Sequence, residues 1–75
     1  MSAKLKYVRV GGFNTIIIFP EILQHSDFKH FDVKSAGFCY IGDKEITCFG
    51  ESVSLKLKSD ERDSIFATRQ YFKEF

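Results

Sequence analysis

Residues 37–50, GFCYIGDKEITCFG, read almost the same from either end. Folding this segment about the Asp43–Lys44 bond places like residues opposite each other, including Cys39 opposite Cys48. Directly opposed residues on antiparallel strands share one face of a sheet, so this register pairs side chains of similar size. A turn centred on Gly42-Asp43 would pair unlike residues throughout. The segment therefore predicts a β-hairpin whose two cysteines are cross-strand neighbours.

Two strand-like segments and a less regular one precede this hairpin. Residues 4–10 alternate charged and apolar side chains, as a half-buried strand does, and residues 13–19 are rich in β-branched and aromatic side chains. Gly11-Gly12 between them predicts a turn, and Pro20 ends the second strand. The apolar residues of 20–31 form no single helical stripe, so we expect a broken helical segment there.

The C-terminal third predicts a strand and then a helix. Residues 52–59, SVSLKLKS, alternate apolar and polar side chains and predict a strand with one buried face. Residues 60–74 predict a helix, because acidic residues at its start favour the positive end of the helix dipole. Phe66 lies outside the apolar arc of that helix. The arc expected to dock on the sheet consists of Ile65, Ala67, Tyr71, Phe72 and Phe75.

This order of elements predicts a single α+β domain spanning residues 1–75. We expect a mainly antiparallel sheet of four or five strands, with the C-terminal helix packed on one face. The short broken helix lies between strands 2 and 3. A chain of 75 residues has a small core, so its margin of stability is narrow.

The aromatic content predicts self-association. Nine Phe and three Tyr form a large apolar load for so short a chain. One helix covers only part of one sheet face, which would leave several aromatic side chains exposed in a monomer. We therefore expect a homodimer or higher oligomer, most simply a two-fold one. The residues expected at the contact are Phe66 and one or both of Phe28 and Phe31.

The charge balance argues against a dedicated nucleic-acid-binding protein. Eleven Lys and Arg oppose ten Asp and Glu, for a net charge of +1. The alternative to a protein that acts through protein–protein contacts is an accessory factor that binds nucleic acid. It would do so through four lysines on outward strand positions. This hypothesis requires the first and last strands to be neighbours in the sheet. A competing explanation is that outward lysines on edge strands prevent edge-to-edge aggregation. The four residues are Lys4, Lys6, Lys56 and Lys58.

The sequence predicts neither an enzyme nor a metal or cofactor site. Cys39 and Cys48, with the two histidines, do not have the spacing of a zinc-binding motif. The segment 25–30 has the residue types of a nucleophile–base site, but no motif positions its serine for catalysis. An enzyme or ligand-binding protein using this segment is a third hypothesis. Its candidate residues are His25, Ser26, Asp27 and His30.

The chain contains no apolar run long enough to span a bilayer, the longest being IIIF at 16–19. We therefore expect a cytoplasmic protein with no membrane partner. In that compartment both cysteines would remain reduced.

The C-terminal half resembles small uncharacterised accessory proteins of bacterial mobile elements, of prophage or integron-cassette type. The resemblance rests on Ser35-Ala36-Gly37-Phe38, on Cys48-Phe49-Gly50, and on SVSLKLKS followed by an acidic helix start. It carries no functional motif and assigns no site residue. It implies an accessory protein that binds a component of the host or phage.

Overall fold

The structure, a computed structural model, describes residues 4–72. Four antiparallel strands form a sheet in the order β2-β1-β3-β4, and a separate two-stranded hairpin pairs β5 with β6. A helix packs on one sheet face, and a short 3-10 helix lies between β2 and β3, which confirms the predicted α+β fold. The elements are β1 (Lys4–Val10), β2 (Thr15–Phe19), the 3-10 helix (His25–Phe28), β3 (Val33–Ile41), β4 (Ile46–Phe49), β5 (Glu51–Ser52), β6 (Leu57–Lys58) and α1 (Asp63–Tyr71).

The β3–β4 hairpin has the register that its mirrored sequence predicts. Cys39 is opposite Cys48, and the two residues that flank them, Phe38 and Phe49, are also paired. The turn is closed by the Gly42 N–H, which donates to the Glu45 carbonyl at 2.8 Å, so Asp43-Lys44 forms its tip. Matching of side-chain size across the strands therefore predicted the observed pairing.

The sheet has an apolar cluster on each face. The cluster beneath α1 has five buried residues: Tyr7, Ile16, Cys39, Ile46 and Ala67. The cluster on the opposite face has three: Val8, Phe19 and Ala36. Side chains from the 3-10 helix and from the β5–β6 hairpin pack against this second cluster. Apolar side chains thus pack on both faces of the sheet, beneath α1 on one and against the 3-10 helix and the β5–β6 hairpin on the other.

The docking face of α1 differs from the predicted arc. Ala67 is buried and Phe72 packs against the core, as expected. Ile65 is 52% exposed, whereas Phe66 packs against the cluster beneath the helix. Tyr71 is half exposed, although its hydroxyl donates to the Ile16 carbonyl at 2.8 Å. Phe75, the last residue of the predicted arc, lies outside the described residues.

Polar side chains of α1 bind the two outer edges of the sheet. Ser64 Oγ accepts from the Cys48 N–H at 2.8 Å, and Thr68 Oγ1 accepts from the Ile46 N–H at 3.0 Å, both on edge strand β4. On the other edge, the Gln70 side-chain amide bonds both the N–H and the carbonyl of Ile16. Since unpaired strand edges recruit further strands, these contacts protect the sheet against edge-to-edge aggregation.

The segment 52–59 is not the continuous strand that its alternation predicts. Only Ser52 and Leu57–Lys58 are in strands, and residues 53–56 form the turn between them. Lys56, the last residue of this turn, has φ +56°, a left-handed conformation typical of tight turns. Val53, expected to be buried, is 83% exposed, whereas Leu55 and Leu57 do pack on the sheet. The alternating pattern therefore correctly predicted inward packing of Leu55 and Leu57 but wrongly predicted it for Val53. It did not predict the turn in the backbone.

Among residues 4–72, no helix is both long enough and apolar enough to cross a membrane.

Candidate interaction surface

Three aromatic side chains lie together on the sheet face opposite α1, and we call them the open aromatic surface: Phe38, Tyr40 and Phe49. Tyr40 and Phe49 are stacked, with ring centroids 5.1 Å apart, and Phe38 lies 6.1 Å from Phe49. Tyr40 is 42% exposed, and the other two are half-buried. Side chains of the 3-10 helix and of the β5–β6 hairpin pack on the apolar cluster of Val8, Phe19 and Ala36, which lies on the same face.

The surface is bordered by cations and by a buried histidine. The Lys4 ammonium lies 4.8 Å from the Phe38 ring centroid, a cation–π contact. Lys6, opposite Phe38 in the β1–β3 register, donates from Nζ to the Leu23 carbonyl at 2.7 Å. The His25 ring meets Phe38 edge-on, with centroids 5.6 Å apart. The aromatic rings are therefore held by contacts on several sides.

The three aromatics expected at a subunit contact do not lie together. Phe66, a residue of α1, is half-buried against the sheet, with the Arg9 and Arg62 guanidinium carbons 5.6 and 5.9 Å from its ring. Phe28 packs on the opposite sheet face against Phe19, at 4.4 Å between centroids. Phe31 lies near Phe28 and is 52% exposed. Phe66 and Phe28 thus contribute to the chain's own core, and Phe31 is the most exposed of the three.

The four lysines of the alternative hypothesis do not form a stripe on neighbouring strands. Lys4 and Lys6 are on β1, an interior strand between β2 and β3, whereas Lys58 is on β6, which pairs with β5. Lys58 is directly opposite Glu51, and Lys56 lies in the β5–β6 turn. β6 pairs with β5 and not with β1, so the condition for a four-lysine stripe is not met.

The polar segment 25–30 does not assemble a nucleophile–base site in the described structure. His25 is buried and its Nε2 lies 2.7 Å from the Gly37 carbonyl oxygen. A carbonyl can only accept, so Nε2 carries the proton. Burial lowers the pKa of His25, as does the Lys6 charge, whereas the Gly37 hydrogen bond raises it. Asp27 accepts instead from the Gln24 N–H, at the start of the 3-10 helix. His25 therefore holds this segment on the sheet.

The part of the chain that the structure describes, residues 4–72, contains no cluster of three or more potential ligands from His, Cys, Asp and Glu. Cys39 and Cys48 are free thiols. Burial raises the pKa of the Cys39 thiol to about 11 and that of the Cys48 thiol to about 12.

The structure reveals a buried polar cluster that sequence analysis missed: Tyr7, Arg9, Ser35 and Asp63. Asp63 Oδ2 accepts hydrogen bonds from the Tyr7 hydroxyl and, at 2.7 Å, from Ser35 Oγ. The Arg9 Nε–H points to Ser35 Oγ at 2.9 Å. Asp63 Oδ1 is also 2.9 Å from Arg9 Nε but lacks hydrogen-bond alignment, so this contact is ionic. One feature of the sequence could have indicated the cluster. Arg9 and Tyr7 are two residues apart on one strand, so Arg9 lies on the same face as a large aromatic residue.

This cluster is structural. Asp63 and Tyr7 are both fully buried, so a substrate cannot reach them. Burial, followed by the hydrogen bond to Asp63, raises the pKa of Tyr7, which keeps the phenol protonated as a donor. The cluster therefore links β1 and β3 to the start of α1.

An open groove of about 790 Å³ runs beside α1 and is lined in part by Phe13, Phe66, Phe72 and Arg69. A smaller one of about 290 Å³ lies near Glu45 and Ile65. The hydroxyl of Thr68, which lines both, is engaged by the β4 edge, and the amide of Gln70 by the β2 edge. Thr68 and Gln70 therefore offer no free polar group to a ligand, and Arg69 is a charged side chain that lines both grooves.

The chain matches no family model, and no curated protein or solved structure is significantly similar to it. Its function is therefore inferred from its own residues.

Proposed function

We propose that this chain is a small non-enzymatic interaction protein that self-associates through the open aromatic surface. The observation that carries the proposal is the stacked pair of Tyr40 and Phe49 on a sheet face that the chain leaves partly uncovered. Aromatic side chains held in a rigid arrangement are typical of the centre of protein interfaces. An accessory role of this kind agrees with the resemblance to mobile-element proteins.

The charges around the surface favour a second copy as the partner. Lys4 is directly opposite Tyr40 in the β1–β3 register, and Asp43 lies at the tip of the turn that joins β3 to β4. A two-fold interface places the same patch on both copies, so a border with both signs can pair with itself. The net charge of +1 adds little repulsion between two copies.

Light scattering coupled to size exclusion, over a wide range of concentrations, tests the proposal. We expect a mass near twice the 8.7 kDa chain mass, and a return to the chain mass when Tyr40 and Phe49 are both changed to Ser. The matched control is Ile22→Ser, which changes an 85% exposed residue outside the surface. A parent protein that keeps the chain mass at every concentration, or a control that dissociates equally, would overturn the proposal.

A second candidate function is binding of single-stranded nucleic acid at the same surface. It is favoured by the Lys4 ammonium 4.8 Å from the Phe38 ring, since stacking aromatics beside cations suit bases and phosphates. Lys6 would act beside it, with Lys56 and Lys58 on the β5–β6 hairpin as further cations. Fluorescence anisotropy with a labelled oligonucleotide tests this function. Binding that weakens steeply with salt, and that Lys4→Gln reduces, supports it; absence of binding at low salt excludes it.

A further inference from the structure

We infer that Cys39 and Cys48 form an oxidisable dithiol, a site at which an intramolecular disulfide joins β3 to β4. The two residues are directly opposite in the β3–β4 register, and both are free thiols. The inference concerns the face of the hairpin beneath α1 and is independent of the proposed function.

The hydrogen bonds show which kind of cross-strand pair the cysteines form. The Cys48 N–H donates to Ser64 Oγ and the Ile46 N–H to Thr68 Oγ1, so both amides point away from β3. In agreement, the Gly42 N–H bonds the Glu45 carbonyl, so hydrogen-bonded and non-hydrogen-bonded pairs alternate from the turn onward. Cys39 and Cys48 are therefore a non-hydrogen-bonded pair.

This pair type brings side chains close enough to be cross-linked. Non-hydrogen-bonded pairs have Cα atoms about 4.5 Å apart, closer than hydrogen-bonded pairs. Disulfides span Cα separations of about 4.4–6.8 Å. A pair of this type therefore has a Cα separation at the short end of the disulfide range, so cross-linking requires no change of register.

The surroundings of the pair determine which sulfur reacts first. Cys39 is completely buried, whereas Cys48 is half-buried, near the edge of the sheet beneath Ser64. A small oxidant therefore reaches Cys48 before Cys39. Burial raises both thiol pKa values, so the pair stays protonated and reacts slowly at neutral pH.

A peroxide is an oxidant small enough for this site. The Cys48 thiolate attacks one peroxide oxygen and breaks the O–O bond, which gives the Cys48 sulfenic acid and releases water once the leaving hydroxide is protonated. The Cys39 thiolate then attacks the Cys48 sulfur, forms the S–S bond and breaks the S–O bond, and the leaving hydroxide takes up a proton to give a second water. Overall, two thiols and hydrogen peroxide give one disulfide and two waters. The product fixes the hairpin that carries Tyr40 and Phe49 on its other face.

The test exposes the full chain to hydrogen peroxide, then alkylates it with N-ethylmaleimide under denaturing conditions and measures intact mass. We expect a monomer that has lost two hydrogen atoms and takes up no maleimide, with both thiols recovered after dithiothreitol. The oxidised protein should also melt at a higher temperature than the reduced one, because the cross-link restricts the unfolded chain.

The matched control combines Cys48→Ala with Thr47→Cys, which moves one thiol by a single position to the opposite face of the hairpin. Its two cysteines remain close in sequence, so an intramolecular disulfide in the folded control would show that chain proximity, and not the register, is responsible. Three other outcomes also overturn the inference: retention of both thiols, disulfides only between chains, or a lower melting temperature after oxidation.

Discussion

Arg9 Nε lies 2.9 Å from Asp63 Oδ1, and both side chains are buried. Arg9 is on the interior strand β1, and Asp63 is the first residue of α1. The pair therefore fixes where the helix begins relative to the sheet. A carboxylate is also favourable at a helix N-terminus, so Asp63 serves both the helix and the ion pair.

Removal of the Arg9 charge should destabilise the fold strongly. In Arg9→Met, Asp63 remains buried without its cation, which costs about 3–5 kcal/mol of unfolding free energy when one partner of a buried pair is lost. Urea denaturation measures the change. The control is Arg62→Met, which removes an ion pair to Asp60 from a side chain that is 62% exposed and should have a much smaller effect. Equal effects of the two variants would contradict a buried structural ion pair.

Gly37→Ala should be destabilising because the backbone of β4 occupies the space of a methyl group. A Cβ at Gly37 would lie 2.4 Å from the Phe49 carbonyl oxygen, a backbone atom that moves only with its strand. We expect a loss of about 1–3 kcal/mol in thermal or urea unfolding, as for other overpacked sites. In the control Gly12→Ala, the new Cβ meets nothing within 4 Å and stability should change little. A Gly37→Ala protein as stable as the parent would show that β3 and β4 are farther apart than described.

Stability should fall as the pH is lowered below about 6.5, the ordinary pKa of histidine. Burial lowers the pKa of His25, so in this range the unfolded chain binds a proton that the folded protein does not. The contribution is fully present above pH 6.5 and is lost as the pH falls towards the folded pKa, with a slope of at most about 1.4 kcal/mol per pH unit. Urea titrations at neutral and mildly acidic pH measure it. His25→Gln should reduce the slope, and a His25→Gln protein that keeps the slope of the parent would contradict the assignment.

The sequence was most informative where side chains were matched in pairs. The hairpin register could be predicted from Cys39, Cys48 and the aromatic residues that flank them. Only one register of the two strands places side chains of similar size opposite each other. The position of the segment that covers the second sheet face was harder to predict from the sequence. Residues 20–31 lack periodicity, and their position depends on His25 and on packing between Phe19 and Phe28.

Two errors have a common cause, since both came from applying one period to a short segment. Residues 52–59 alternate as a strand does, but Lys56 adopts φ +56° and the segment forms a tight hairpin. The nine-residue helix α1 is turned so that Phe66 packs inward and Ile65 faces solvent. A short helix follows its tertiary contacts, here the ion pair at Asp63 and the edge contacts of Thr68, more than its own apolar arc.

Arg9 was missed because a charged residue in an alternating strand is usually solvent-exposed. Its partner Asp63 is 54 residues away in sequence and was interpreted only as a helix-start charge. A pair of this kind becomes visible only when the topology places β1 beside β3 and beneath α1.

The central claim is that a second copy binds at the open aromatic surface, and isotope-filtered NOE spectroscopy tests it most directly. A sample mixed from ¹³C-labelled and unlabelled chains reports only contacts between copies. We predict intermolecular NOEs from the ring protons of Tyr40 and Phe49, which are lost when both residues are changed to Ser. Intermolecular NOEs confined to other residues, such as Ile22 or Val53, or the absence of any from these two rings, would contradict the claim.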